Sequence, residues 1–230
     1  MRAALSFLTV LRLGTVDPRA LPAAVPWFPV AGALVGIAVA AVDALLSLRL
    51  PREVVAPLDL VALALLTGGL HLDGLADTAD GLFSGGPRER RLAAMRDPSS
   101  GAFGVAAVVL VLLVEAAALA RVPSSAPALI GAVVLSRCAM AAALVLVPYA
   151  RPSGLGTAFR AGSDPLRVLP SVVVAILVAL WIGVAAAVAL ALGVVVAAFA
   201  RRTLGGLTGD VYGAVGEVVF SCVLVMLASR

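Results

Sequence analysis

Apolar stretches at about 27–48, 54–70, 102–120, 126–148, 168–183, 185–200 and 211–228 decide which solvent this 230-residue chain can fold in. Each approaches the ~20 residues that a helix needs to cross a bilayer's hydrocarbon core. They are continuous rather than alternating, which excludes the strands of an outer-membrane barrel. Hydrophobic residues make up 62% of the chain and charged ones 13%, against nearer half and a quarter in soluble domains. The expected fold is all-α: one polytopic transmembrane bundle over residues 1–230, with about seven spans. Met1–Gly14 carries Arg2 and Arg12 around a short apolar stretch without a clear cleavage site. It reads as an N-terminal interfacial helix rather than a signal peptide.

Residues 169–200 fit either one long tilted helix or two short ones hinged near Gly183, and arginines decide between them. With seven spans, the N-terminus and the second, fourth and sixth connections share one side. That side holds Arg2, Arg12, Arg19, Arg88, Arg90, Arg91, Arg96, Arg151, Arg160, Arg167, Arg201 and Arg202. The other side holds Arg49, Arg52, Arg121 and Arg230, and Arg137 lies within a span. Twelve against four is a positive-inside signal for a cytoplasmic N-terminus. The net charge of +4 therefore reports orientation rather than nucleic-acid binding. Cys138 and Cys222, both in apolar runs, read as inert packing residues.

This topology sends the polar, glycine-bearing connections 71–101, 149–167 and 201–210 to the cytoplasmic face. Polar backbone at membrane depth needs protein or a water-filled cavity around it, so the three are expected to converge on one site. In the first, Asp73, Asp77 and Asp80 stand at i, i+4 and i+7, within about 60° of one another on a helix. Like charges on one stripe repel, whereas a facing divalent cation would turn that repulsion into coordination. Hard oxygen ligands suit Mg²⁺, which keeps water and binds substrate phosphates. The alternative is a solvated helix start whose acids suit the dipole.

Residues 88–96 read as a short basic amphipathic helix, ended by Asp97-Pro98. Its arginines would neutralise phosphates or anchor to anionic lipid. Asp97 is a candidate fourth ligand, general base or helix cap. His71, on another face, reads as a structural histidine. In Arg201-Arg-Thr-Leu-Gly-Gly-Leu-Thr-Gly-Asp210 the glycines, threonines and arginines can present donors to phosphate. Glu217 follows Asp210 by seven residues, on the same helix face. Arg137 is either salt-bridged within the bundle or a phosphate anchor. Asp43, Asp59 and Glu115 read as structural.

These residues form a recognisable set. Gly68-Gly-Leu-His-Leu-Asp-Gly-Leu-Ala-Asp-Thr-Ala-Asp-Gly81, Met95-Arg-Asp97 with Gly101-Ala-Phe-Gly104, Ser136-Arg137, Gly154-Leu-Gly156 and Arg202–Asp210 lie collinearly, after a first span that opens Trp27-Phe-Pro-Val-Ala-Gly32. Together they resemble the adenosylcobinamide-GDP ribazoletransferase (cobalamin synthase) family over nearly the whole chain. The resemblance implies a Mg²⁺-dependent enzyme of the bacterial inner membrane. It would join adenosylcobinamide-GDP to α-ribazole or its 5′-phosphate and release GMP. On that reading Asp73, Asp77 and Asp80 hold metal, with Asp80 and Asp97 in catalytic roles. Arg137, Arg202, Thr208 and Asp210 would hold substrate. Asp77-Thr-Ala-Asp80-Gly81 also looks like the opening of the CDP-alcohol phosphotransferase signature, which makes phospholipid synthesis the nearest alternative. A cation or proton transporter using intramembrane carboxylates is the alternative from another class.

Overall fold

In lipid every backbone polar group must find a partner within the chain, and the helix is the local way to do so. The computed structural model describes residues 1–15, 17–122, 125–160 and 164–229. Arg230, one of the outer arginines, lies outside the described residues, as do residues 161–163 of the second polar connection. The described residues form α-helices and short 3₁₀ segments, with one isolated bridge between Tyr149 and Leu207.

The helices are α1 (Arg2–Leu8), α2 (Phe28–Leu46), α3 (Arg52–Thr67), α4 (Leu70–Phe83), α5 (Arg88–Ala94) and α6 (Ala102–Leu119). They continue with α7 (Ser125–Leu146), α8 (Leu155–Arg160), α9 (Leu169–Ile182), α10 (Val184–Leu204) and α11 (Gly209–Ala228). Among the described residues six helical segments are long and apolar enough to cross a membrane: those ending in α2, α6, α7, α9, α10 and α11. The pair α3 and α4 makes a seventh only if both are counted together, because they are bent by 91°. The chain is thus a multi-pass helical membrane protein, as its apolar runs require.

Two breaks correct or settle the sequence reading. The stretch expected as a single span at 54–70 ends at Thr67. Gly68 and Gly69 follow with φ of 64° and 68°, a left-handed pair that glycine enters without steric penalty. Residues 169–200 are two helices, divided at Gly183, where φ is 65° and ψ −136°. The N-terminal helix is shorter than its sequence suggested. It is docked to the bundle through buried Ala4, Leu5 and Leu8, and the Val10 amide donates to the Leu66 carbonyl at 2.9 Å.

The core is organised around α7, most of whose residues are buried. α2 lies along it on two glycines one turn apart: a Cβ at Gly36 would stand 2.9 Å from Ile130 Cα, and one at Gly32 2.8 Å from Arg137 Cγ. Small residues that let backbones approach are the usual means of helix association in lipid. At the far end of α2, Asp43 is ion-paired with Arg52 at 2.5 Å and accepts the Ser125 hydroxyl at 2.7 Å. With the buried Asp59 beside it, that cluster joins α2, α3 and α7, the structural role expected of both aspartates.

Candidate active site

The turn at Gly68-Gly69 lays α4 between α6 and α11. Its three aspartates then meet three environments: Asp73 is exposed, Asp77 half-buried and Asp80 buried. A 60° stripe on a helix packed from both sides straddles the boundary between water and protein. The sequence spacing is therefore kept, but the three carboxylates are not equivalent.

Asp80 turns toward the start of α6. The Gly101 amide donates to its Oδ2 at 2.7 Å and the Gly104 amide to its Oδ1 at 2.9 Å. The first N–H groups of a helix lack intrahelical partners and carry the positive end of the dipole, so a buried carboxylate there is well matched. A Cβ at Gly101 or Gly104 would lie 2.5 or 2.4 Å from that carboxylate. Both glycines are thereby explained.

Asp210 comes from the first turn of α11. Thr208, fully buried, caps that helix by accepting the Val211 amide at 3.3 Å and donates its hydroxyl to Asp210 Oδ2 at 3.1 Å. Arg151 pairs with the same oxygen at 3.2 Å. α4 and α11 cross almost backbone to backbone: a Cβ at Gly74 would stand 2.7 Å from the Asp210 carbonyl oxygen, and one at Gly213 3.4 Å from Gly74 Cα. This crossing brings the carboxylates together. Asp77 feels the charges of Asp210, Asp73 and Asp80, opposed by Arg151.

The three polar connections do converge. The Ala150 amide donates to the Leu207 carbonyl at 2.8 Å, and the Leu207 amide to the Pro148 carbonyl at 2.8 Å. Arg88 donates to the Leu204 and Ala150 carbonyls, both at 2.6 Å. Arg91 donates to the Gly86 carbonyl at 3.0 Å and also reaches that of Leu82. Both arginines thus close helix C-termini, a role the sequence reading did not separate from phosphate or lipid contact. Arg151 was visible in the sequence only as one basic residue of a glycine-bearing loop. Its partnership with Asp210 spans 59 residues, beyond what spacing can show.

The other residues expected at the site make different contacts. Arg137 is buried in the bundle, donating to Ser136 Oγ at 2.7 Å and His71 Nδ1 at 3.4 Å, with the Glu217 charge acting on it. Deeper along α11, Ser221 donates to Glu115 at 2.5 Å. Asp97 is exposed in the turn after α5, its Oδ1 accepting the Ser99 amide at 2.9 Å. Arg202 is exposed and opens onto the groove between α7 and α10. Among the described residues no hydrogen bond or ion pair joins Asp97, Arg137 or Arg202 to Asp73, Asp77, Asp80 or Asp210.

Among the described residues no three His, Cys, Asp or Glu side chains already stand in metal-ligating geometry. The donor chemistry nonetheless suits a hard cation. Asp73, Asp77 and Asp210 offer only oxygen, Arg151 is the cation set against them, and none of the three is fully buried against the protein. A Mg²⁺ that keeps several waters asks for few protein oxygens.

A family model described as cobalamin-5-phosphate synthase matches residues 1–228. An adenosylcobinamide-GDP ribazoletransferase of Desulforamulus reducens is 38% identical over 242 residues, covering 99% of this chain and 95% of that protein. One of Syntrophobacter fumaroxidans is 41% identical over 230 residues, covering 94% and 92%. One of Geotalea daltonii is 37% identical over 210 residues, covering 88% and 85%. No solved structure matches the chain. The match runs from the first helix through the last, and the chain belongs to the cobalamin-5-phosphate synthase family.

Proposed function

We propose that this protein transfers the adenosylcobinamide phosphoryl group of adenosylcobinamide-GDP to a hydroxyl of α-ribazole or its 5′-phosphate, releasing GMP and completing the nucleotide loop of cobalamin. The observation that carries this is the gathering of Asp77, Asp73 and Asp210, with Arg151, at the glycine crossing of α4 and α11. Transfer of a phosphoryl group rests on positioning and charge neutralisation more than on covalent chemistry. We assign Asp73, Asp77 and Asp210 as the carboxylates that would hold Mg²⁺. When bound, that ion supplies the positive charge that a pyrophosphate and its leaving GMP need. Asp80, both of whose oxygens accept α6 amides, fixes α4 against α6 and so sets where Asp77 stands. Thr208 and Arg151 hold the Asp210 carboxylate from two sides. The arginine bias supports a cytoplasmic position for this face of the bundle, and the family resemblance supports a bacterial inner membrane.

Buried ionisable groups also lie deeper, at Arg137 with Glu217 and at Asp43 with Arg52, as a transporter would have. They form no route. The cavity beside Arg137, Glu115 and Glu217 measures about 20 Å³, room for a single water.

The test is direct: purified protein in nanodiscs, given Mg²⁺, adenosylcobinamide-GDP and α-ribazole, releases GMP. Release of CMP from a CDP-alcohol, with no GMP from the first pair, would sink the assignment. Removing divalent ions with EDTA abolishes turnover, and added Mg²⁺ restores it.

A further inference from the structure

Beside the carboxylates lies a cavity whose walls are chemically unlike them. Phe7 of α1, Phe28 at the start of α2 and Phe159 of α8 meet there, with ring centroids 4.7 Å apart for Phe7 and Phe159, 5.9 Å for Phe28 and Phe159, and 6.0 Å for Phe7 and Phe28. Tyr212 of α11 forms a further wall, and the same cavity is bordered by Asp73 and Asp210. Its volume is about 130 Å³. That is well below the ~300–1,000 Å³ of sites for drug-sized ligands, and it suits one small ring system rather than a whole nucleotide.

We propose that this aromatic cavity seats the planar base of the acceptor nucleoside, holding the acceptor's sugar hydroxyl against the carboxylates. The proposal rests on the transfer reaction given above. Aromatic side chains take any base by its π-face, and size and polarity here choose which base. A guanine presents several donors and acceptors along its edges, and each one buried without a partner is penalised. The three phenylalanine rings meet none of them, and polar partners stand only at Tyr212 and the carboxylate rim. A fused ring with few polar atoms, as in a benzimidazole, loses little by entering. The carboxylates at the rim also disfavour a phosphate there unless a cation intervenes, so the donor's pyrophosphate belongs on the metal side of the site.

The construction of the wall supports a fixed seat. α8 is only six residues long. It is pinned because Arg160 donates to the carbonyls of Leu144, Val145 and Val147, at 2.7, 3.1 and 2.5 Å, at the end of α7. Phe159, next in sequence, is thereby held over the cavity with 1% of its surface exposed. On the opposite side Gly74, Gly209 and Gly213 line the cavity. A Cβ at Gly209 would meet nothing within 4 Å, so a side chain can be introduced at this lining position to narrow the cavity.

The test uses the full-length protein in nanodiscs with two variants, Phe159→Ala and Gly209→Leu. GMP release is measured against α-ribazole at saturating adenosylcobinamide-GDP, and then with the roles reversed. Both variants raise KM for α-ribazole, Phe159→Ala by about 5- to 150-fold, the worth of one base–aromatic contact. KM for adenosylcobinamide-GDP stays within about twofold, since no contact to the donor is lost. Phe159→Tyr, which keeps the ring, retains most of the affinity. An unchanged α-ribazole KM in Gly209→Leu, or a rise in the donor's KM instead, overturns the assignment. Calorimetric binding of α-ribazole alone separates this from failure of the reaction itself. A wild type that binds α-ribazole tightly, and loses it in either variant, keeps the seat even if no GMP forms. A wild type that releases GMP with variants that bind α-ribazole normally removes the seat and leaves the reaction.

Discussion

Replacing Asp80 by Asn keeps the side chain's shape but turns an NH₂ toward one of the two amides it now accepts from. Loss of a capping acceptor costs about 0.5–2 kcal/mol. Asp80→Asn should therefore lower the thermal midpoint, and activity should fall in proportion as α6 loosens from α4. Asp77→Asn should do the reverse. Its carboxylate faces other charges rather than an amide, so the midpoint is expected to hold or rise while GMP release falls below detection. Thermal shift and turnover measured on the same two preparations separate the roles. If Asp77→Asn unfolds the protein, that aspartate is structural. The spacing of these residues was legible in the sequence, but their division of labour was not. The Asp80 partners lie 21 and 24 residues away, and helical periodicity carries no information about them.

At the scale of the element, the crossing of α4 over α11 depends on there being no Cβ at Gly74. An alanine there would set its methyl 2.7 Å from a backbone oxygen, which no rotamer change relieves. Overpacking of this kind costs typically about 1–3 kcal/mol. Because it separates the two helices that carry the carboxylates, Gly74→Ala should lose turnover by more than its loss of stability explains. Single-turnover assays on folded, size-selected protein would check this; wild-type rates would mean that the close approach is dispensable. Gly183→Ala, by contrast, forces a left-handed φ on a non-glycine residue, worth about 1–3 kcal/mol of strain. It should destabilise the α9–α10 junction and leave both KM values unchanged. Breaks of this type were readable, since Gly183 interrupts an apolar run and the arginines weigh for two helices. The sharp turn at Gly68-Gly69 was not, because the apolar pattern continues across it to Leu70 and Leu72.

For the whole molecule, the seven-span plan puts the site, the N-terminus and three connections on one face. Cysteine labelling in a background with Cys138 and Cys222 replaced by Ala checks it. Ser153→Cys should react with membrane-impermeant maleimide only in inverted vesicles, and Leu48→Cys only in intact cells. The opposite pattern would turn the site outward. The convergence of connections was foreseeable from the solvent alone, as polar backbone must be enclosed. Which arginine closes which helix was not, since Arg88 and Leu204 are 116 residues apart.

The shortness of α3 has a bearing on the surrounding lipid. Sixteen residues rise about 24 Å, less than a hydrocarbon core of about 30 Å, so α3 alone is too short to span it and the chain bends by 91° into α4. If the proposed site lies at that turn, water-soluble reactants would dip below the headgroups to be joined, and the depth of that well would belong to the membrane as much as to the protein. Longer acyl chains deepen it. Turnover should fall as the host bilayer thickens, at a fixed headgroup, with no residue changed.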